Sequence, residues 1–262
     1  MKSTWESERE TALQAARRAG EVMTGWMGRF TTRSKGQNDL VTEADLAVQV
    51  AIKETIARRF PDDDFLGEED ATDVAKLRSA RRWIVDPIDG TTNFVHGFPF
   101  FGTSIALEVA GEIVVGVIFD PSKKETFLAV KGQGSACNGN RLQVSSSPRL
   151  AEGLICVGLP AVPAHHPETI SGMVRMTART RSVRRMGSAA LSMAYVAAGR
   201  SDGFYSHIIQ PWDVAAGVLL VQEAGGKVTN FGSDRYDLYN RSLLATNGLL
   251  HEEVARELSA ET

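Results

Sequence analysis

Cysteine is scarce in this sequence, with Cys137 and Cys156 the two among 262 residues. Their separation matches no metal-ligand spacing, so the cysteines do not predict a zinc or iron–sulfur site. We expect two reduced thiols and no disulfide. The low cysteine content therefore favours a protein of the reducing cytoplasm.

Long apolar runs and an excess of basic residues are also missing. The longest apolar run, Val214 to Val221, is far shorter than the roughly 20 residues of a membrane-spanning helix. The first ten residues are polar and charged and do not predict a signal peptide. A formal net charge of −3 supplies no basic face for nucleic acid. We predict a soluble cytoplasmic protein that binds neither membranes nor nucleic acid.

Hydrophobic residues make up 43% of the chain, which is ample for a sizeable core. The length predicts one large domain or two closely packed halves. Apolar periodicity predicts alternating helices and strands, typical of an α/β or α+β sandwich. Residues 31–40 predict a polar loop. The predicted buried side of the second helix consists of Leu46, Val48, Val50, Ile52 and Ile56. The predicted helices are 4–28, 42–59, 167–180, 188–198, 213–224 and 249–258, and the predicted strands are 65–67, 83–85, 103–109, 112–119, 126–130, 141–144, 154–157, 183–186, 203–205 and 243–246.

The most informative stretch is Trp83 to Phe94, WIVDPIDGTTNF. Its first three residues are apolar and partly β-branched, so they predict a buried strand. Two carboxylates, Asp86 and Asp89, follow three residues apart, and Pro87 fixes the backbone between them. Such a turn can direct both carboxylates and the carbonyl group of Ile88 toward one point.

Gly90 follows this turn and allows the backbone to approach a ligand closely. Thr91 and Thr92 predict the start of a helix, where free N–H groups bind phosphate. Carboxylates alone would repel a phosphate, but a hard cation between them resolves the conflict. Mg²⁺ is the usual cation when carboxylates and a substrate phosphate supply the ligands. Asp-Pro and Asp-Gly pairs taken alone would mark only turns, but the whole stretch predicts a magnesium-assisted phosphate site.

Two further acidic residues stand at the ends of predicted elements. Glu68 directly follows the short strand 65–67, as Asp86 follows 83–85. If these strands are neighbours, Glu68 reaches the same point as Asp86. Asp213 opens a helix of small residues, where helix capping alone would explain it. A carboxylate on such a rigid element also suits a metal ligand.

Together these residues resemble the inositol monophosphatase family of lithium-sensitive, magnesium-dependent phosphatases. The resemblance covers nearly the whole chain and rests on three motifs, GEE at 67–69, WIVDPIDGTTNF at 83–94 and WDVAAG at 212–217. It implies a layered αβαβα sandwich of the inositol monophosphatase and fructose bisphosphatase type, usually a homodimer. We expect one compact unit made of an α+β half, 1–145, with most metal ligands, and an α/β half, 146–262, with Asp213 and the substrate side.

The resemblance also implies the metal ligands. Glu68, Asp86 and the Ile88 carbonyl group match the ligands of one Mg²⁺. Asp86, Asp89 and Asp213 match the ligands of a second. The family pattern implies two or three Mg²⁺ in each active site.

Roles in catalysis and substrate binding follow from the same resemblance. Thr91 with Glu68 matches the pair that activates the attacking water, and Asp45 matches the acidic residue that supports the threonine. Lys35 matches a mobile loop that closes over the site. The implied substrate-binding residues are Asp89, Gly90, Thr91, Thr92, Ala189, Ser206 and Asp213.

One position departs from the family pattern. Inositol-specific members carry a glutamate seven residues before the last aspartate ligand, and this chain has Ser206 there. Loss of a partner for a substrate hydroxyl group can remove much of a site's discrimination. We predict a phosphomonoesterase that hydrolyses a small phosphorylated alcohol with metal-activated water. Histidinol phosphate, fructose 1,6-bisphosphate and nucleotide phosphates stay open as substrates, and a non-enzymatic regulatory binding protein is the alternative of another class.

Overall fold

The computed structural model describes residues 4–29, 31–36, 39–70, 79–160, 162, 164 and 166–259, with the backbone alone for 32–36 and 39–41. Its helices are α1 (Glu6–Trp26), α2 (Glu43–Ala57), α3 (Thr91–His96), α4 (Pro167–Arg179), α5 (Ala189–Ala197), α6 (Pro211–Glu223) and α7 (His251–Ser259). Its strands are β1 (Thr32–Gly36), β2 (Asp39–Thr42), β3 (Asp64–Gly67), β4 (Arg81–Asp89), β5 (Gly102–Val109), β6 (Glu112–Asp120), β7 (Glu125–Val130), β8 (Gly134–Cys137), β9 (Asn140–Arg141), β10 (Leu154–Gly158), β11 (Ser182–Arg184), β12 (Gly203–Ser206), β13 (Lys227–Thr229) and β14 (Leu243–Thr246).

These elements stack in five layers. Helices α1 and α2 cover one face of a seven-stranded sheet of order β3-β4-β5-β6-β7-β8-β9. Helices α5 and α6 lie between that sheet and a five-stranded sheet of order β11-β10-β12-β14-β13, and α4 and α7 cover the outer face. Each interface is filled by its own cluster of buried apolar side chains. The predicted αβαβα sandwich is therefore confirmed.

The order of strands in the larger sheet brings two acidic positions together. Strands β3 and β4 are parallel neighbours, with Gly67 opposite Val85. The backbone N–H of Glu68 donates to the Val85 carbonyl group at 3.1 Å. The strands that precede Glu68 and Asp86 are therefore neighbours. Glu68 directly follows β3 and lies beside the part of β4 that contains Asp86.

Strand β4 extends past the predicted end and includes both of its aspartates. It pairs with β5 in antiparallel register, with Asp86 opposite Ser104 and Asp89 opposite Gly102. Three steps on β4 therefore face two steps on β5, which is a β-bulge. A bulge redirects side chains at a strand end, so Asp86 and Asp89 occur in an irregular strand and not in a free turn.

Some predicted elements differ from the structure. Residues 31–40 are not simply a loop, because β1 and β2 form an antiparallel pair with Thr32 opposite Thr42. Leu46 and Val50 are exposed, at 50% and 55%, so their prediction as buried residues was wrong. At 3.6 residues per turn they lie on the side of α2 opposite Val48 and Ile52.

All six predicted helices are present, whereas β8 and β13 were not predicted and the predicted strand 141–144 is reduced to β9. Cys137 and Cys156 are both buried free thiols, as expected. Within the described residues, no helix has both the length and the apolar composition to cross a bilayer.

Candidate active site

Five carboxyl groups from four parts of the chain lie close enough to influence one another. Asp45 is in the first turn of α2, Glu68 follows β3, Asp86 and Asp89 are in β4, and Asp213 is in the first turn of α6. Burial raises the pKa of Asp86 well above its ordinary value, and the charges of the other four acids raise it further. The fold therefore concentrates negative charge at the end of β4.

Asp86 is the least compensated member of this cluster. Its side chain is 2% exposed, and its Oδ1 atom has no hydrogen-bond partner among the described residues. A buried carboxylate oxygen without a partner carries a desolvation cost that protein interiors rarely tolerate. Such an atom indicates a ligand, and a hard cation would also balance the charge.

Asp89 is held by the start of α5. Its carboxylate accepts hydrogen bonds from the Ser188 hydroxyl group, from the Ala189 N–H at 3.2 Å and from the Ala190 N–H at 2.6 Å. Burial raises the pKa of Asp89 to about 6, and these hydrogen bonds oppose the rise. These contacts link β4 to the start of α5.

Asp213 is the third residue of α6, where it takes part in a capping box with the N-cap residue Gln210, and it also belongs to the charge cluster. It is half-buried, and its Oδ2 accepts the Gln210 N–H at 2.9 Å in a reciprocal capping arrangement. Burial raises its pKa well above the ordinary value, and Asp89 and Glu68 add to the rise. Helix capping fixes one oxygen of Asp213 but does not remove its charge from the site.

A threonine and an aspartate form a second contact beside the cluster. The Asp45 Oδ2 accepts the Thr42 N–H at 2.7 Å and the Thr42 hydroxyl group at 2.6 Å. Its Oδ1 lies 3.0 Å from the Thr91 Oγ1, which is also 3.1 Å from the Ile88 carbonyl oxygen. The capping box of α2 thus orients Asp45 so that its other oxygen can hold Thr91.

The turn between β4 and α3 requires glycine at residue 90. Gly90 has φ 94°, in the left-handed region that glycine adopts readily. A Cβ at this position would lie 3.1 Å from the Gly187 carbonyl oxygen and 3.2 Å from that of Phe100. Close backbone packing therefore forms the wall of the site on this side.

The other residues predicted for the site are Ile88, Thr92 and Ser206. Thr92 is exposed, and the Ile88 side chain is buried with its carbonyl group directed to Thr91. Ser206 is fully buried, and its Oγ lies 2.9 Å from the Ile208 carbonyl oxygen and 3.3 Å from the Gly158 carbonyl oxygen, so its one hydrogen is directed to these acceptors. The role of Ser206 in substrate binding stays a prediction, and its hydroxyl group is engaged by backbone carbonyl groups.

The carboxylates are neighbours without forming a ready-made coordination sphere. Among the described residues, no three His, Cys, Asp or Glu side chains are close enough to hold a metal ion as they stand. The metal ligands stay a prediction, and it depends on the charge and burial of the cluster and on an Asp86 oxygen that has no hydrogen-bond partner among the described residues. Lys35 lies in β1, and its side chain is outside the described part of the chain.

The sequence motif contained one residue whose contacts were not predicted. The Asn93 Nδ2 donates to the carbonyl groups of Phe100 at 2.7 Å and Met186 at 2.8 Å. Its place one turn after Gly90 was the available signal, but the second acceptor lies 93 positions away in the chain. Only the tertiary structure could identify that acceptor.

Comparison with known proteins agrees with this arrangement. The model of the inositol monophosphatase family matches residues 4–262. The chain belongs to the inositol monophosphatase family. A fructose-1,6-bisphosphatase/inositol-1-monophosphatase of Thermotoga maritima is 40% identical to this chain. The match covers 94% of this chain and 93% of the T. maritima protein.

Other relatives carry a different name. A protein of Pasteurella multocida called Nus factor SuhB is 39% identical over 94% of each chain. The crystal structure of the extragenic suppressor protein suhB from Bartonella henselae superposes with a TM-score of 0.91 at 38% identity, covering 98% of this chain and 100% of that one. Membership of the family thus includes proteins named as phosphatases and proteins named otherwise.

Proposed function

We propose that this protein hydrolyses the phosphate monoester of a small alcohol and that it requires Mg²⁺. The observation that carries the proposal is the acidic cluster at the end of β4, where Asp86 is buried beside four other acids and its Oδ1 has no hydrogen-bond partner in the described part of the chain. Membership of the inositol monophosphatase family supports a phosphatase. The positions of Gly90 and Thr91 beside the cluster support a phosphate as the group bound.

The donor set fits magnesium. Carboxylates and a backbone carbonyl group are hard oxygen ligands, and their negative charge needs a cation. Glu68, Asp86 and the Ile88 carbonyl group would hold one ion, and Asp86, Asp89 and Asp213 a second, with two or three ions per site. Bound Mg²⁺ would polarise the phosphate ester and supply water activated for attack.

The protein groups around the phosphate have separate tasks. The N–H groups of Gly90 and Thr91 would bind phosphate oxygens. Asp45 accepts the Thr91 hydroxyl hydrogen, which leaves a Thr91 lone pair to accept a hydrogen bond from the attacking water. Thr91 would thereby orient the water, with Glu68 as the group that receives its proton.

Selection of the alcohol would come from groups outside the phosphate site. Ser206 would act indirectly, because its hydroxyl group holds the Ile208 carbonyl group in the segment between β12 and α6. That segment leads to Asp213 and borders the alcohol side. An inositol phosphate and fructose 1,6-bisphosphate are supported as substrates by the name of the T. maritima relative, and histidinol phosphate and nucleotide phosphates stay as alternatives.

A second candidate is a regulatory binding protein that uses the same fold. The name Nus factor SuhB of the P. multocida relative favours it. Retention of all five acids favours the enzyme, because a binding surface would not need a buried, uncompensated carboxylate such as Asp86. The homodimer, the cytoplasmic location, lithium sensitivity and the division at residue 145 stay predictions.

Phosphate release from a panel of phosphomonoesters, with Mg²⁺ and with a chelator, tests the proposal. We expect Mg²⁺-dependent release in the wild type and a loss of at least about 100-fold in Asp86→Asn, with a higher Mg²⁺ requirement. Asp202→Asn is the matched control, because Asp202 is a buried aspartate that accepts the Leu154 N–H at 2.7 Å, at the end of β12 away from the site. Wild-type turnover without divalent cations, or equal turnover in both variants, would refute the proposal.

A further inference from the structure

The side-chain amide of Asn93 joins three chain segments beside the site. Its Nδ2 donates to the carbonyl group of Phe100 at 2.7 Å and to that of Met186 at 2.8 Å. Both amide hydrogens are thereby used. Asn93 lies in α3, three residues after Gly90, so one side chain ties α3 to the segment before β5 and to the segment before α5.

Two glycines allow these segments to approach so closely. A Cβ at Gly187 would lie 2.9 Å from the Asn93 Nδ2, and Gly187 has φ 83°. A Cβ at Gly90 would lie 3.1 Å from the Gly187 carbonyl oxygen. The two turns therefore pack backbone against backbone, with the Asn93 amide as their hydrogen-bonded link.

The segment that Asn93 holds leads directly to the donors that bind Asp89. Met186 and Gly187 precede Ser188, whose hydroxyl group donates to the Asp89 carboxylate. The next two N–H groups, of Ala189 and Ala190, donate to the same carboxylate. A shift of Met186 would carry these three donors with it.

Phe100 gives the link a second anchor. Its ring packs edge-on against Tyr195 of α5, with ring centroids 5.3 Å apart. Both carbonyl groups that Asn93 bridges therefore belong to segments connected to α5. The Met186 segment leads into α5 along the chain, and the Phe100 segment contacts α5 through this aromatic pair. The two hydrogen bonds of the Asn93 amide connect α3 to this unit.

We propose that Asn93 is a positioning residue that fixes the Gly90–Thr92 turn relative to the Asp89 carboxylate. The inference rests on the proposed phosphatase function, and Asn93 itself touches no reacting atom. Without its amide, the carbonyl groups of Phe100 and Met186 lose their shared donor, and the two sides of the site can separate. A displacement of about 1 Å in positioning groups can cost about 100-fold in rate.

The test compares Asn93→Ala with Asn247→Ala. Asn247 is a buried asparagine whose Nδ2 also makes two hydrogen bonds, to the Ser147 carbonyl group at 2.9 Å and the Ser145 hydroxyl group at 3.1 Å, and so ties its own segment to one other. It follows the end of β14 that pairs with Gly203, away from the end that pairs with Ser206. Both variants lose a comparable structural link, but only one link borders the site.

Three measurements separate positioning from stability. We expect both variants to lower the melting temperature, because each leaves two acceptors without a donor, and Asn247→Ala should cost at least as much because it also removes the acceptor of the Leu250 N–H. We expect Asn93→Ala to lower kcat/KM about 100-fold, with most of the loss in kcat, and Asn247→Ala to change it less than about 3-fold. Calorimetry with inorganic phosphate in the presence of Mg²⁺ should show about 10-fold weaker binding in Asn93→Ala alone.

The outcomes distinguish this inference from the proposed function. Equal kinetic and phosphate-binding changes in the two variants would overturn the positioning role while leaving the phosphatase intact. A wild type that releases no phosphate would overturn the proposed function, and the phosphate-binding comparison would still decide the role of Asn93. If Asn93→Ala does not fold, Asn93→Ser keeps one donor and should give a smaller loss in the same direction, and an unaltered kcat/KM in it would refute the inference.

Discussion

Replacing Asp86 by asparagine should make the protein more stable to heat when divalent cations are chelated. Asp86 is a buried carboxylate whose pKa is raised by burial and by four neighbouring acids, and its Oδ1 has no partner among the described residues. Its ionisation therefore destabilises the folded protein unless a cation binds. An amide of the same shape removes that charge while filling the same space.

The size of the effect can be judged from Asp89 in the same cluster. Burial raises the pKa of Asp89 from 3.8 to about 6. At about 1.4 kcal/mol per pKa unit, this rise costs about 3 kcal/mol of stability at pH 8. Because the pKa of Asp86 is raised in the same direction, we expect Asp86→Asn to raise the melting temperature in chelator by several degrees, since 1 kcal/mol corresponds to about 2–4 °C in a chain of this size.

The pH dependence has a definite sign. A carboxyl group with a raised folded pKa keeps its proton in the folded state at pH values where the unfolded chain has released it. For Asp89 this window runs from pH 3.8 to about 6, and the free energy of unfolding falls as pH rises through it. The gain from Asp86→Asn should therefore be larger at pH 8 than at pH 5.

Thermal unfolding at pH 5 and pH 8, with chelator and with Mg²⁺, measures this effect. Wild-type protein should gain stability from Mg²⁺ at pH 8, and Asp86→Asn should gain much less. Asp202→Asn, which alters a hydrogen-bonded aspartate outside the cluster, should be destabilised in chelator and keep the Mg²⁺ response. If Asp86→Asn melts below the wild type in chelator at pH 8, the reasoning from uncompensated charge is wrong.

Three other predictions concern the proposed reaction. Thr91→Ala should lower kcat by about 100-fold or more with a smaller change in KM, because Thr91 orients the attacking water; equal changes in both, or a trapped phosphoenzyme, would contradict this. Li⁺ in the range of tens of millimolar, an order-of-magnitude choice, should inhibit in competition with Mg²⁺, and unchanged initial rates over a titration would count against a second, weaker metal position. Ser206→Glu should lower the melting temperature by several degrees, since position 206 is fully buried against Gly158. The same variant should change the order of kcat/KM values across the phosphate panel. An unchanged order would show that position 206 does not set specificity.

The residue types that make up most of the candidate site were predictable because they lie close together in the sequence. The stretch from Trp83 to Phe94 places two carboxylates, a glycine and a threonine within a few residues, and their spacing survives any packing of the chain around them. The positive φ of Gly90 and the capping by Asp213 are also local properties. The family motifs added the order of the layers, which periodicity alone left open between α/β and α+β.

Other features depended on contacts between distant residues. Burial of Ser206 is decided by the neighbours of β12, so a comparison of residue types could not show that its hydroxyl group is occupied. The exposure of Leu46 and Val50 likewise follows from which side of α2 meets β4.

The assembly of the site itself belongs to the tertiary structure. The sequence by itself determined which groups carry charge, and it predicted which turn would bind phosphate. Only the packing of β3 beside β4, of α5 against Asp89 and of α6 between the sheets decided that these five acids lie close enough to influence one another. Burial converts ordinary carboxyl groups into a cluster that favours a cation, because the energy of a charge depends on its surroundings and not on its neighbours in the chain.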